Sequence, residues 1–267
     1  MPARSLGEPI EGTGNLYAWG EGQILKLYGD EAPAGWVEHM GRVDRALHAA
    51  GLPVPAAGET IEIDSGLGLV YERIEGEPMA NHLLGTAGAD AGTVVGLARV
   101  FAEVHAQIHA CGSIRGVPAQ REMFPTIIRR IDALPSDLKE PTVNAFDKLP
   151  QGDRLCHGDF HPYNVLMSLR GPVVIDWNNA HIGNPLEDVA RSALILEGVS
   201  VSQPSHRSSI ERFTEAYLER YFHLRPGDQG QLAAWRPIVA AVRLADNIRE
   251  LQEWLIAQVR AGLAPHD

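Results

Sequence analysis

The chain contains 267 residues, 45% of them hydrophobic and 21% charged, and carries a formal net charge of −11. These values describe an ordinary globular protein and exclude an intrinsically disordered one. The acidic charge argues against nucleic acid and anionic membranes as partners, because both bind basic surfaces.

The first residues and the two cysteines bear on where the protein works. The sequence from Met1 to Ser5 lacks the apolar run of a secretory signal, and no stretch approaches the roughly 18 apolar residues of a membrane span. Cys111 and Cys156 do not have the spacing of a zinc site or a disulfide framework. We therefore expect a cytoplasmic protein without a membrane partner, either monomeric or homodimeric.

The N-terminal region is predicted to contain short strands and one helix. Two apolar runs at 15–19 and 23–28, separated by a glycine-containing turn, predict a β-hairpin. Apolar residues at every third or fourth position predict a helix over 36–50. Strands are predicted at 60–63 and 67–74. Residues 5–12 are a candidate for one more strand.

The rest of the chain is predicted to be mainly helical, with one short β region inside it. Apolar periodicity predicts a long helix from about Val94 to Ile108 and further helices later in the chain. These later helices are expected at 122–134, 137–148, 186–197, 207–222 and 230–260. We therefore predict an α+β fold with an N-terminal domain at 1–75 and a C-terminal domain at 76–267.

The β region carries the most informative motif of the chain. The segments Leu155-Cys-His-Gly-Asp-Phe-His-Pro-Tyr-Asn164 and Val173-Val-Ile-Asp-Trp177 end apolar runs with polar residues. The kinase catalytic loop has the pattern His-x-Asp-x-x-x-x-Asn, followed a short hairpin later by a metal-binding Asp. Phosphoryl transfer needs such a set, because one carboxylate contacts the attacking hydroxyl and other oxygens hold magnesium on the phosphates. The matching residues are His157, Asp159, Asn164 and Asp176.

These motifs resemble those of the aminoglycoside phosphotransferase and choline kinase-like family, which read roughly His-Gly-Asp-x-His-x-x-Asn and Ile-Asp-Trp. The resemblance is strong over residues 152–191 and weaker from about 12 to 112, and the C-terminal helices match only in helical character. It implies a two-lobed, protein-kinase-like fold with a nucleotide-binding N-terminal lobe. The implied reaction is transfer of the γ-phosphate of ATP, or alternatively GTP, to a hydroxyl of a small molecule with Mg²⁺.

The resemblance implies a role for each of the three central residues. Asp159 is expected to be the catalytic base, or at least the group that orients the acceptor hydroxyl. Asn164 and Asp176 are expected to bind Mg²⁺ on the nucleotide phosphates, since this ion prefers oxygen ligands.

Three neighbouring residues are expected to support this centre. His157 is expected to pack the catalytic loop, and Asp188 is expected to bond the backbone of that loop. His161 occupies the position at which protein kinases place a lysine that reaches the γ-phosphate. Nucleotide contact and packing remain open for His161.

Lys26 is the candidate for binding the α- and β-phosphates. Strand alternation places Leu25 and Leu27 on one face and Lys26 on the other. A surface lysine is the alternative, but the resemblance favours the role of the phosphate-binding strand lysine of kinases. Its expected acidic partner is Glu38, with Glu31 as a second candidate.

The base of the nucleotide is expected to lie at the end of the 67–74 strand. When the chain is aligned with the family by Gly76, the carbonyl of Glu72 and the amide of Ile74 face the base. Tyr71 then falls at the gatekeeper position, where a bulky ring can favour guanine in this family, so ATP is the expected donor and GTP the alternative. The two glycines at 11–15 are weaker candidates for a loop over the phosphates.

The acceptor site is expected on the C-terminal helix at 230–260. Asp246, Glu250 and Glu253 lie at i, i+4 and i+7 and form an acidic stripe. This stripe is either a solvated face or a cation-binding wall of the acceptor pocket. The second interpretation, together with the net charge, is compatible with a cationic acceptor bound by Asp246 and Glu250.

Two other functions compete with a small-molecule kinase. A protein kinase is disfavoured because Asp188 follows Asp176 too closely to leave room for an activation loop. A kinase-like nucleotide-binding module without transfer activity is disfavoured because Lys26, Asp159, Asn164 and Asp176 are all present.

Overall fold

The computed structural model describes residues 7–10, 15–29, 32–63, 66–85 and 89–264. These residues form two compact units. The first contains the described residues up to Glu77 together with Ile114–Gly116 and Leu166–Asn178, and the second contains the remainder. Asp176 thus belongs to the first unit, whereas Asp159 and Asn164 belong to the second. The predicted division into domains at 1–75 and 76–267 stays a prediction.

The first unit contains an antiparallel sheet of four strands with the order β1-β2-β4-β3. The strands are β1 (Leu16–Ala18), β2 (Gln23–Tyr28), β3 (Ala57–Ile63) and β4 (Gly66–Glu72), and helix α1 (Ala34–Ala49) follows β2. The predicted hairpin, helix and strand pair are therefore confirmed. Of the candidate strand at 5–12, the described part pairs with β1 through Pro9 and Tyr17, and the rest lies outside the described residues.

Strand pairing places Lys26 on the face of the sheet that α1 covers. Lys26 lies opposite Leu69 in the β2–β4 register, and directly opposed residues of an antiparallel pair share a face. Leu69 packs in one cluster with Val37 and Met40 of α1. Leu25 packs with other residues in a separate cluster, as strand alternation predicts.

A second sheet has the order β5-β7-β8. Its strands are β5 (Gly76–Pro78), β7 (Val165–Ser168) and β8 (Gly171–Val174). Gly76 permits the close approach of β5 and β7, because a Cβ there would lie 2.6 Å from the carbonyl oxygen of Met167. The amide of Val174 donates to the carbonyl of Pro53 at 2.6 Å, which ties β8 to the segment between α1 and β3.

The second unit is mainly helical. Its helices are α2 (Met79–Leu84), α3 (Ala91–Ala110), α4 (Gln120–Arg130), α5 (Ser136–Phe146), α6 (Pro185–Ser202), α7 (Arg207–Leu224), α8 (Gln231–Arg243) and α9 (Gln252–Leu263). A two-stranded sheet pairs β6 (Arg154–Cys156) with β9 (His181–Gly183). Among the described residues, none of the helices combines the length and apolarity that crossing a bilayer requires.

The prediction of one helix over 230–260 is wrong. The helix ends at Arg243, and Asn247 adopts a left-handed conformation with φ 54° before α9 begins. Asparagine tolerates this conformation better than most residues. The apolar periodicity continues through the break because Leu244 and Leu251, which lie in 3₁₀ turns on either side of it, are still buried. The pattern therefore reported burial correctly but not helix continuity.

Candidate active site

The catalytic loop of residues 157–164 follows β6 and is anchored by Asp188 at the start of α6. The fully buried Asp188 carboxylate accepts from the amide of His157 at 2.6 Å and from the amide of Gly158 at 3.0 Å. Gly158 has φ 77°, and a Cβ there would lie 2.3 Å from the carbonyl oxygen of Asn179. The loop conformation therefore requires both an acceptor at 188 and a glycine at 158.

A buried histidine pair lies beneath Asp188. Nε2 of His105 and Nε2 of His109 lie 3.1 and 3.2 Å from Oδ2 of Asp188. Their Nδ1 atoms lie 2.7 and 2.6 Å from the hydroxyls of Tyr217 and Tyr221, respectively. Burial raises the pKa of Asp188, but the hydrogen bonds from the two histidines outweigh it and hold that pKa well below its usual value.

The two histidines are neutral bases in this network. Burial, reinforced by His105, lowers the pKa of His109 to about 3 despite the neighbouring Asp188. Each Nε2–H then donates to Asp188, and each Nδ1 accepts from a tyrosine. Sequence reasoning missed this pair. The available signal was two histidines four residues apart on the apolar face of α3.

Asp159 lies among three basic side chains. Its Oδ2 is 3.4 Å from Nε2 of His161, and its Oδ1 is 3.8 Å from Arg191 and 3.6 Å from Arg243. Burial raises the pKa of Asp159, but His161 and Arg191, with a contribution from His157, outweigh it and hold the pKa below its usual range. The carboxylate is therefore ionised and able to accept a hydrogen bond from a hydroxyl.

The remaining loop residues are fixed by contacts to the backbone of Asp159. Nδ1 of the buried His157 accepts from the amide of Asp159 at 3.2 Å. Nδ2 of the buried Asn164 donates to the carbonyl of Asp159 at 2.9 Å and also lies 3.3 Å from Nε2 of His161. Since these contacts use the amide nitrogen of Asn164, its Oδ1 is the atom left to coordinate a cation.

In the first unit, Asp176 lies beside Lys26. Nζ of Lys26 donates to Oδ1 of Asp176 at 3.0 Å, and Nδ2 of Asn178 donates to the same oxygen. Burial lowers the pKa of Lys26, but Asp176 first, then Tyr28 and Asp44, raise it above its usual value. Asp176 has φ 63°, a left-handed conformation that is rare outside glycine and concentrates at functional sites.

The structure does not bring Glu38 to Lys26. The Glu38 side chain is exposed and lies 3.8 Å from Arg42 on the same helix. The buried acid of α1 is Asp44, which lies seven residues after Val37 and therefore on the apolar face. Its Oδ2 accepts from the hydroxyl of Tyr71 at 2.5 Å. Glu31 lies outside the described residues, as do residues 11–14 of the glycine-containing loop.

The predicted hinge residues lie at and beyond the end of β4. The Glu72 carboxylate accepts from Arg170 at 2.6 and 3.0 Å, and this pair is the main cause of the lowered pKa of Glu72. The amide of Glu72 donates to the carbonyl of Ala56, while Ile74 lies in the segment after the strand. The assignment of Tyr71, Glu72 and Ile74 to the base pocket stays a prediction.

The acidic stripe of the predicted last helix is not formed. Asp246 lies in the break between α8 and α9, where it accepts from Arg191 at 3.1 Å and from Arg243 at 3.0 Å. Glu250 is exposed in the following 3₁₀ turn, and Glu253 is exposed in α9. The expected cation-binding wall therefore has no basis in this geometry. Sequence reasoning missed both arginines.

The fold and the catalytic loop together define a kinase-like phosphotransferase. A sequence model described as the phosphotransferase enzyme family matches residues 11–235, and the chain belongs to this family. A comparison with curated proteins gave no match.

Solved structures with the same fold include aminoglycoside and other small-molecule kinases. Aminoglycoside phosphotransferase APH(4)-Ia, as a thermostable mutant with ADP and hygromycin B, has a TM-score of 0.63 at 17% identity, covering 93% of this chain and 88% of that chain. A choline/ethanolamine kinase family protein from Mesorhizobium loti has a TM-score of 0.61 at 17% identity, covering 97% and 88%. The amicoumacin kinase hAmiN has a TM-score of 0.58 at 14% identity, covering 97% and 90%. The predicted family and the protein-kinase-like fold are confirmed.

Proposed function

We propose that this protein is a small-molecule kinase that transfers the γ-phosphate of ATP to a hydroxyl of a small acceptor, with GTP as an alternative donor. The observation that carries the proposal is the organised catalytic loop. Its Asp159 is ionised, and its Asn164 amide is oriented by the backbone of Asp159. This loop supplies the carboxylate and one oxygen ligand that phosphoryl transfer requires.

Each of the two expected Mg²⁺ ligands has a side-chain oxygen that suits a divalent cation. Asn164 offers an amide oxygen, because its nitrogen is engaged by Asp159. Among the described residues, the donors to Asp176 both contact Oδ1, which leaves Oδ2 for a cation. Such oxygens suit this hard ion. When bound, the ion neutralises charge on the transferred phosphoryl group.

Each remaining residue has a role in binding or orientation. Lys26 binds the α- and β-phosphates and is kept protonated by Asp176. Asp159 accepts a hydrogen bond from the acceptor hydroxyl and orients it. Asp188 and His157 keep the loop amides in place. His161, with its Nε2 close to the Asp159 carboxylate, is positioned to contact the acceptor or the γ-phosphate.

The structural relatives support this class of reaction. The hAmiN structure contains AMP-PNP and Ca²⁺, and the APH(4)-Ia structure contains ADP and hygromycin B. We infer a nucleotide, a divalent cation and a small acceptor for this protein on the same pattern. The competing protein kinase has no support, because the described residues between Asp176 and α6 form only a 3₁₀ turn and the short strand β9.

The proposal is tested by nucleoside diphosphate release from Mg·ATP and Mg·GTP with a panel of hydroxy acids, amino alcohols, sugars and aminoglycosides. We expect acceptor-dependent release and a phosphorylated product detected by ³¹P NMR. Asp159→Asn should lower turnover by at least ~100-fold, the lower end of general-base contributions, without weakening Mg·nucleotide binding.

Asp153→Asn is the matched control, because Asp153 is an exposed acid just before β6 that contacts Arg154. It should behave as the wild type. Mg²⁺-dependent nucleotide binding without transfer to any acceptor would instead identify a binding module. Turnover of Asp159→Asn within a few-fold of wild type would remove Asp159 from the mechanism.

A further inference from the structure

The second unit contains an open pocket of about 160 Å³ that is lined by mostly apolar side chains. Its walls come from α2, α6, α7, the end of α8 and the 3₁₀ turn of the catalytic loop, and include Leu83, Ile195, Leu196, Val199 and Ile210. Two lining side chains can carry charge, His161 and Arg243, and both are basic. No acidic side chain lines this pocket within the described residues. An apolar molecule with an anionic group matches this lining.

The pocket adjoins the catalytic carboxylate. Nε2 of His161 lies 3.4 Å from Oδ2 of Asp159, and Nη1 of Arg243 lies 3.6 Å from Oδ1 of the same residue. Both basic side chains therefore face the pocket and Asp159 together. A molecule that fills the pocket lies next to the group that orients the acceptor hydroxyl, so the pocket is placed to hold the acceptor.

The acids close to the pocket are already neutralised by arginines. Asp246 accepts from both Arg191 and Arg243, and Asp159 lies within 3.8 Å of the same two guanidinium groups. Two carboxylates thus balance two buried arginines. Oδ1 of Asp159 has no hydrogen-bond partner among the described residues, but two guanidinium groups lie within 3.8 Å of it. The ammonium group of a cationic acceptor would therefore meet Arg243 at close range.

The arginine cluster also has unused donors. Nε of Arg191, Nη1 of Arg191 and Nε of Arg243 are buried without a hydrogen-bond partner among the described residues. Buried donors are normally satisfied, and an unpaired one costs free energy. A further anion held by Arg243 would lower the repulsion between the two guanidinium groups. Arginine is also well suited to bind a carboxylate through two parallel hydrogen bonds.

We propose that the acceptor is a hydroxycarboxylic acid whose carboxylate binds Arg243 and whose apolar part fills this pocket. The inference rests on the proposed kinase function and names its substrate class. The acceptor oxygen forms a bond to the γ-phosphorus while the bond between this phosphorus and the β–γ bridging oxygen breaks. Nucleoside diphosphate leaves, and the hydroxyl proton passes through Asp159 to solvent. The products are the phosphorylated acid and the diphosphate.

The test compares acceptors that share a skeleton and differ in charge. The probes are lactate, β-hydroxybutyrate and mandelate, each with its neutral carboxamide and its cationic aminomethyl analogue. Binding to the protein with Mg·ADP is measured by calorimetry or saturation-transfer NMR, so that no turnover is needed, and diphosphate release is measured separately. We expect the acids to bind at least ~10-fold more tightly than the amides and amines, with mandelate, the most apolar, binding best.

Two variants locate the anion site. Arg243→Gln should weaken acid binding by at least ~10-fold and remove the preference over the amides. Arg236→Gln is the matched control, because Arg236 lies on the same helix, pairs with Glu197 at 2.7 Å and does not line the pocket. It should retain the wild-type preference. If Arg243→Gln does not fold, the preference of the wild-type protein for acids over amides and amines still tests the proposal.

The outcomes separate the two proposals. Amines that bind as well as the acids, acids that do not bind, or acid binding that Arg243→Gln leaves unchanged would each overturn the acidic acceptor. Transfer to amines alone would keep the kinase and overturn the acidic acceptor. Acid binding that depends on Arg243, without transfer to any acceptor, would keep the anion site and overturn the kinase.

Discussion

At the scale of single residues, the most consequential feature is the arginine environment of Asp159. A carboxylate with a strongly lowered pKa is a weak base but a good hydrogen-bond acceptor. Phosphoryl transfer demands little proton abstraction, because its transition state is loose and catalysis is mainly positioning and electrostatic stabilisation. Asp159 held ionised by His161 and Arg191 suits the orientation of an acceptor hydroxyl.

Tyr71 carries a prediction about the choice of nucleotide. If its ring lines the base pocket, Tyr71→Ala enlarges that pocket and should improve the use of ATP relative to GTP, a steric effect of a single contact. Tyr71→Phe is the control, because it removes the hydrogen bond to Asp44 but keeps the ring. The measurement is the ratio of kcat/KM for the two nucleotides. An unchanged ratio in Tyr71→Ala would place Tyr71 outside the base pocket.

At the scale of elements, the position of an acidic residue on α1 decides whether its side chain faces the sheet. Asp44 shares the apolar face with Val37 and Met40, so its carboxylate is buried, and burial raises its pKa. Glu38 lies one residue after Val37 and about 100° around the helix, which turns it to solvent. An acid at the edge of the apolar stripe is therefore a weaker candidate for a buried contact than one within it.

The burial of Asp44 and the exposure of Glu38 predict different stabilities for two variants. Asp44→Asn should lower the free energy of unfolding by about 1–3 kcal/mol, because the half-buried Tyr71 hydroxyl loses a charged acceptor. Glu38→Gln should change it by less than ~0.5 kcal/mol, since its contact with Arg42 is an exposed ion pair. Urea denaturation of both variants makes the comparison. Equal effects would contradict the assignment of Asp44 as the buried acid of α1.

The break between α8 and α9 determines the position of Asp246. It places Asp246 in a turn, where Arg191 of α6 and Arg243 of α8 both reach its carboxylate. A continuous helix would have placed Asp246, Glu250 and Glu253 on one face. The break therefore replaces an acidic face by a neutral cluster of two arginines and two aspartates next to the proposed acceptor pocket.

At the scale of the whole molecule, a buried polar network connects α3 and α7 to the catalytic loop. It consists of His105, His109 and Asp188. The Asp188 carboxylate of α6 accepts from two histidines of α3 and from two loop amides, and two tyrosines of α7 contact the histidines. The shape of the loop therefore depends on Asp188, which is 31 positions after His157, and on two histidines that precede Asp188 by 83 and 79 positions.

This network predicts a loss of stability in acid. His109 has a pKa of about 3 in the folded protein and an ordinary value near 6.5 when unfolded. The unfolded state therefore binds more protons below pH 6.5, and stability is lost as the pH falls towards 3. Between pH 7.5 and pH 5, the titration of His109 should lower the free energy of unfolding by about 2 kcal/mol.

The measurement is urea denaturation of the wild type and of His109→Gln at both pH values. The variant is less stable overall, since it loses contacts to Asp188 and Tyr221, but it should lose about 2 kcal/mol less on acidification. Glu187 raises the pKa of His181 against the effect of burial, so His181 contributes to stability with the opposite pH dependence. Because both proteins contain His181, its contribution cancels when their losses of stability are subtracted. Equal losses in both proteins would show that His109 is not buried in its neutral form.

The sequence by itself determined the features that depend on local order. The spacing of Asp159, Asn164 and Asp176 identified the family, and periodicity located the strands and most of the helices. Alternation placed Lys26 on the face opposite Leu25. These features were readable because a strand repeats every two residues and a helix every 3.6, and because the catalytic loop is one short continuous segment.

Only the tertiary structure decided which partners the buried polar side chains have. The neutralisation of Asp246 by Arg191, the contact of Asp44 with Tyr71, and the pairing of Lys26 with Asp176 join residues that are 55, 27 and 150 positions apart. Hydrophobic periodicity reports burial but not the identity of a polar partner, and it continues through a helix break whenever both sides face the core. The charge around a pocket is the sum of such partnerships. The sequence was therefore compatible with a cationic acceptor, whereas we propose an anionic one from the partners seen in the folded chain.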